Sequence, residues 1–84
     1  MTRKEFEQKV KDENLRMESY CIELNEYREE IHVMGCVQKN GKWVIYETSE
    51  RDGSAYVIKE FNNENEAFEY FYKYVIHQIR REKL

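Results

Sequence analysis

The chain has 84 residues, a formal net charge of -3 and no proline, with 40% hydrophobic and 37% charged residues. This length fits one domain and excludes two. Twelve aromatic side chains exclude a disordered chain, because they bury enough area to offset the entropy of ordering. The acidic balance argues against a nucleic-acid binder, whose domains are usually basic. No apolar run is long enough to span a membrane. The first ten residues, "MTRKEFEQKV", lack the apolar segment of a signal peptide. With Cys21 and Cys36 as its two cysteines, the chain reads as a cytoplasmic protein with reduced thiols.

In chain order, Thr2 and Glu5 form a capping-box pattern that opens a first helix. Phe6 and Val10 lie on one face of it, and Asn14 is its expected end. Residues 20–24, "YCIEL", alternate with period two and predict a strand. Residues 31–37, "IHVMGCV", predict a second strand, in which Gly35 marks a bulge or a close approach. Asn40-Gly41 predicts a type I′ hairpin turn, since both positions need positive φ. The third strand then runs over 42–48, and Asp52-Gly53 centres a turn into a fourth strand over 55–61. Asn63 caps the last helix, with Glu66 at the reciprocal position. Ala67, Phe68, Phe71, Tyr74, Val75 and Ile79 repeat at helical spacing along it.

These elements predict a two-layer α+β domain of order α-β-β-β-β-α. A four-stranded antiparallel meander packs under an N-terminal helix and a longer C-terminal one. The third strand, "KWVIYET", sharpens the question of function. Trp43 and Ile45 face one side, and Val44 and Tyr46 the other. On the fourth strand Tyr56 and Ile58 face one side, and Ala55, Val57 and Phe61 the other. Two helices cover one face only, so the opposite face is expected either to expose an aromatic and aliphatic patch or to be covered by strong sheet curvature or by the long helix folding over an edge. A patch of a few hundred Å² is where a binding surface begins to be indicated.

The chemistry-bearing residues form no convincing catalytic or metal pattern. Cys21, Cys36, His32 and His77 lack the paired spacing of zinc ligands, so no metal or other cofactor is expected. Nothing in the sequence activates Cys36 as a nucleophile. Glu29 with Glu30, and Glu47 with Glu50, are paired carboxylates without a recognisable cleft. The three glycines form no phosphate-binding loop, and no small-molecule substrate is expected. The acids do cluster, as Glu23, Glu26, Glu29 and Glu30 around one loop and Glu47, Glu50 and Asp52 around another. Such clusters either face water or dock a basic partner.

The segments "GKWVIYETSERDG" and "KEFNNENEAFEYFYKYV" resemble the small immunity proteins of bacterial polymorphic-toxin systems, specifically the immunity protein 59 group. The likeness runs nearly full length. It rests on Gly41 and Trp43, on Ser49-Glu50-Arg51, and on Phe61, Glu64, Glu66 and Ala67. Asn62-Asn63 stand where a serine is usual. The resemblance implies a cytosolic protein that binds a cognate toxin domain and occludes it; the missing catalytic set, the acidic balance and the lack of an apolar span lead to the expectation of no enzyme, no nucleic acid and no membrane. On charge and exposure, the expected contact residues are Glu26, Glu29, Glu30, Glu47, Glu50 and Asp52 with the aromatics Trp43, Tyr46 and Tyr56. Two other readings stay open at this level. One is a homodimer formed through the free sheet face or an edge strand; the other is a small RNA binder using surface aromatics.

Overall fold

The computed structural model describes all residues, Met1–Leu84. The elements are α1 Arg3–Asp12, β1 Cys21–Glu23, β2 Val33–Lys39, β3 Lys42–Thr48, β4 Ala55–Phe61 and α2 Glu64–Glu82. The strands form one open sheet in the order β1-β2-β3-β4. The α+β, two-layer arrangement expected from the sequence is the one observed.

Local signals account for the element ends. At the start of α1, Thr2 Oγ1 accepts from Glu5 N at 3.2 Å and Thr2 N donates to Glu5 Oε1 at 2.8 Å, a complete capping box. At its end Asn14 takes φ 50°. Leu15 N donates to Val10 O and Asn14 N to Lys11 O, the two bonds of a Schellman motif. The β2–β3 turn has Asn40 at φ 53° and Gly41 at φ 78°, as a type I′ turn requires. At α2 one arm of the expected box forms, with Glu66 N donating to Asn63 Oδ1 at 3.1 Å.

One pairing differs from the expected meander. β2–β3 and β3–β4 are antiparallel, but β1 pairs with β2 in parallel, with Cys21 opposite Val33 and Glu23 opposite Gly35. The sequence shows a polar connection and suggests a hairpin, whereas residues 24–32 cross the face away from the helices. The Glu23 carboxylate opens that crossover by accepting from Asn25 N at 2.8 Å and Glu26 N at 3.1 Å. His32, at φ 65°, turns the chain back into β2. The parallel ladder that this crossover closes is only three residue pairs long.

The helix-side core joins Phe6 of α1 and Ala67, Phe68, Phe71 and Val75 of α2 to Met34, Cys36 and Ile45 of the sheet. Phe6 lies 5.6 Å from Phe68 and 5.1 Å from Phe71, centroid to centroid. These contacts hold α1, a helix too short to be stable alone. Tyr72 ties the helices together at the rim, donating to Glu13 Oε1 at 2.5 Å beneath Lys9.

The opposite face is not the open patch the sequence suggests. Val33, Val37, Val44 and Tyr46 form a second buried cluster, closed by Tyr27 of the crossover and by Ala55. The ring of Tyr46 lies on Gly35, where a Cβ would come within 2.3 Å of Tyr46 Cε1; this is the close approach that Gly35 signals. Tyr27 packs tilted against Tyr46, with ring centroids 4.6 Å apart, and Lys39 Nζ sits 3.7 Å from the Tyr27 ring centre. The Tyr46 hydroxyl donates to Glu26 O at 2.7 Å and accepts from Arg28 N at 3.0 Å. One phenol thereby pins the crossover at two points.

β4 corrects one face assignment. A bulge falls where Ile45 pairs with Lys59 and Tyr46 with Val57, leaving Ile58 unpaired. The extra residue inverts the alternation, so Phe61 sits opposite Trp43 and packs on the helix side, 5.5 Å from Tyr70.

Candidate functional site

The expected contact residues separate into three groups. Tyr46 is 0% exposed and held by the crossover, so it cannot anchor a partner. Trp43 packs edge-on against Phe68 at 5.3 Å and belongs to the helix-side core. The remaining seven stay accessible to differing extents, and the fold gathers most of them toward one end of the sheet.

That end is joined by Gly53. It has φ +73°, and a Cβ there would lie 2.9 Å from Ile31 N and 3.0 Å from Glu30 C. The β3–β4 turn thus packs directly on the end of the crossover, so the turn that carries Glu50 and Asp52 meets the segment that carries Glu29 and Glu30. The turn is rigid: Gly53 N donates to Ser49 O at 3.0 Å and Ser49 N to Ser54 O at 2.9 Å. Asp52 Oδ1 accepts from Ser54 N and from Ser54 Oγ, and these bonds hold its carboxyl below the usual range. Arg28 pairs with Glu23 at 3.4 Å and with Glu30 at 3.7 Å. Glu26, Glu29 and Glu50 are exposed, and none of the three has a basic side chain within salt-bridge distance. Glu26 lies earlier on the crossover.

Glu47 stands apart from these surface acids. It is the last helix-facing residue of β3, opposite Tyr56 on β4. Three phenols converge on its half-buried carboxylate. Tyr74 of α2 donates to Oε1 at 2.9 Å, Tyr20 before β1 donates to Oε2 at 3.3 Å, and Tyr56 of β4 also donates to Oε2. The three donors come from three separate parts of the chain. No lysine, arginine or histidine pairs with Glu47. Burial, with the Glu47 charge and hydrogen bond, pushes the Tyr20 hydroxyl up to about 12. The bond to Glu47, with burial, pushes Tyr56 up to about 12. Burial and the bond to Glu47 raise Tyr74 as well. All three phenols therefore remain neutral donors at physiological pH. Glu50 lies close enough to raise both Tyr20 and Tyr56, and Arg81 close enough to oppose this at Tyr20.

The sequence points to Glu47 and Tyr56 but misses Tyr20 and Tyr74. Tyr20 sits in the alternation of a strand and Tyr74 in the apolar stripe of a helix, so both read as packing residues. Their hydroxyls are the polar handles that such positions carry.

Other chemistry is sparse. No group of three or more His, Cys, Asp or Glu side chains is arranged to hold a metal ion. Cys36 is buried, which pushes its thiol up to about 12 and keeps it from acting as a thiolate near neutral pH. Cys21 is a free thiol on the exposed edge strand. A concavity of about 940 Å³ lies along the segment before β1 and includes Leu15, Met17, Tyr20 and His32 in its lining. No helix is long and apolar enough to cross a membrane.

No family model matches the chain, and searches of curated proteins and of solved structures return no match.

Proposed function

We propose that the protein is a cytoplasmic immunity protein, which binds a cognate bacterial toxin domain and neutralises it by occlusion. The observation that carries this reading is the acidic end of the sheet. Gly53 seats the turn bearing Glu50 and Asp52 on the crossover bearing Glu29 and Glu30, with the Glu47 site on the same end of β3. A surface of this sign accelerates encounter with a basic partner and selects against an acidic one. The likeness of "GKWVIYETSERDG" and "KEFNNENEAFEYFYKYV" to small immunity proteins supplies the partner class.

Two other readings receive less support. A homodimer joined at β4 has a free edge available, but that edge is blunted by the Ile58 bulge and by Lys59, which lies over the Phe61 and Tyr70 rings. An RNA-stacking face would need several open aromatics, whereas Tyr46 is buried, Trp43 packs on Phe68, and Tyr56 is the one exposed aromatic.

The test is co-expression. The C-terminal domain of the protein encoded immediately upstream is produced with and without this chain, and growth and complex formation are followed. Growth arrest relieved by the chain, with a stable complex, supports immunity. A harmless domain, or arrest without protection and without a complex, overturns it.

A further inference from the structure

We propose that the tyrosine-ringed Glu47 carboxylate is a seat for an arginine side chain of a partner protein. The inference deepens the binding function proposed above and rests on it for its biological setting, but its chemistry stands on the site itself. Glu47 is half-buried and carries a charge that no basic group of the chain neutralises by direct contact. Hydrogen bonds from Tyr20, Tyr56 and Tyr74 solvate that charge without removing it. A carboxylate offers about four lone-pair positions, so three donors leave room for a fourth.

Access is from the β4 side, where Tyr56 is 47% exposed. Glu50 adds negative potential at the same point, and Arg81 acts on Tyr20 from a distance. An incoming guanidinium fits this chemistry better than an ammonium. It is planar, it stacks on phenol faces, and its hydrogen bonds to a carboxylate are directional. Tyr20 also lines the 940 Å³ concavity, which gives residues flanking such an arginine a place to lie.

The test uses the whole chain in solution. Tyrosine and backbone NMR resonances are followed at low salt during titration with acetyl-Gly-Arg-Gly-amide and with its citrulline counterpart, a near-isostere without charge. Saturable shifts centred on Tyr20, Tyr56 and Tyr74, at least roughly tenfold weaker for citrulline, are the expected result. Glu47→Gln and Tyr56→Phe are each expected to weaken the arginine response. Shifts equal for the two peptides, or confined to residues away from the three tyrosines, overturn the seat. The comparison of the two peptides on the unmodified chain decides the matter even where a variant fails to fold. If the arginine peptide binds but no toxin is neutralised, the seat stands and the immunity reading falls. If neutralisation holds with no preference for arginine over citrulline, only the seat falls.

Discussion

The two faces of the sheet are buried by different physics. The helix face is covered by area: Phe6, Phe68 and Phe71 interlock over Met34, Cys36 and Ile45, and no polar bond is needed to hold them. The outer face is covered by a single crossover held through a few directional contacts, of which the Tyr46 hydroxyl makes two. A face closed by area tolerates the loss of any one polar atom and fails through cavities. A face closed by a strap fails when one hydrogen-bonding group is lost.

The largest expected effect lies on the helix side. Phe71→Ala or Phe6→Ala should cost about 3–5 kcal/mol in urea unfolding, by removing a fully buried ring. That is a large share of the stability of any small domain. On the outer face, Gly35→Ala should cost about 1–3 kcal/mol or more, because its Cβ would fall within 2.3 Å of Tyr46 Cε1 and at 3.0 Å from Glu23 O. A loss below half a kcal/mol in either face would break the contrast between them.

Tyr46→Phe separates the two modes of burial most directly. It keeps the ring on Gly35 but leaves Glu26 O and Arg28 N without their partner, at a cost of about 1–3 kcal/mol. Amide exchange at Arg28 should accelerate while amides of α2 change little. Equal acceleration in both would mean that the strap and the helix layer open as one unit.

Two titrations sharpen the comparison at the molecule's margins. Glu82 reaches from α2 to the segment before β1, accepting from Glu18 N at 2.7 Å and Ser19 N at 2.9 Å. Desolvation raises its carboxyl, but the bonds from Glu18, Gln78 and Ser19 outweigh this and bring it to about 2. A depressed folded value means stability that is present above the ordinary value near 4.5 and is lost as pH falls toward 2. Glu82→Gln should flatten that acid limb. Tyr20 and Tyr56 are shifted in the opposite sense, from 10 up to about 12. Their contribution is full below pH 10 and disappears as pH rises through 12. Absorbance of phenolate should show these two tyrosines and Tyr74 ionising above the ordinary phenol range near 10, and Glu47→Gln should bring them earlier. The smallest expected effect is Lys39→Met, which removes the cation over Tyr27 and should cost about 0.5–1 kcal/mol.

Much of the fold was legible because its signals are local. The Thr2 capping box, the αL stop at Asn14, the Asn40-Gly41 turn and the apolar stripe of α2 each depend on neighbours within a few residues. The candidate site was legible only in part. Glu47 and Tyr56 stand out by charge and exposure, whereas Tyr20 and Tyr74 are distant in sequence and look like packing residues.

By itself, the sequence determined one α+β domain, its element order, its hairpin at Asn40-Gly41 and the acidity of its two loops, since propensity, capping and charge are properties of short segments. The tertiary structure alone decided that β1 runs parallel to β2, that a bulge at Ile58 turns Phe61 toward the helices, and that the crossover buries Tyr46. It also decided that three remote phenols meet at Glu47. Each of these depends on which distant surfaces fit together, and strand pairing and side-chain convergence are set by that fit rather than by local preference.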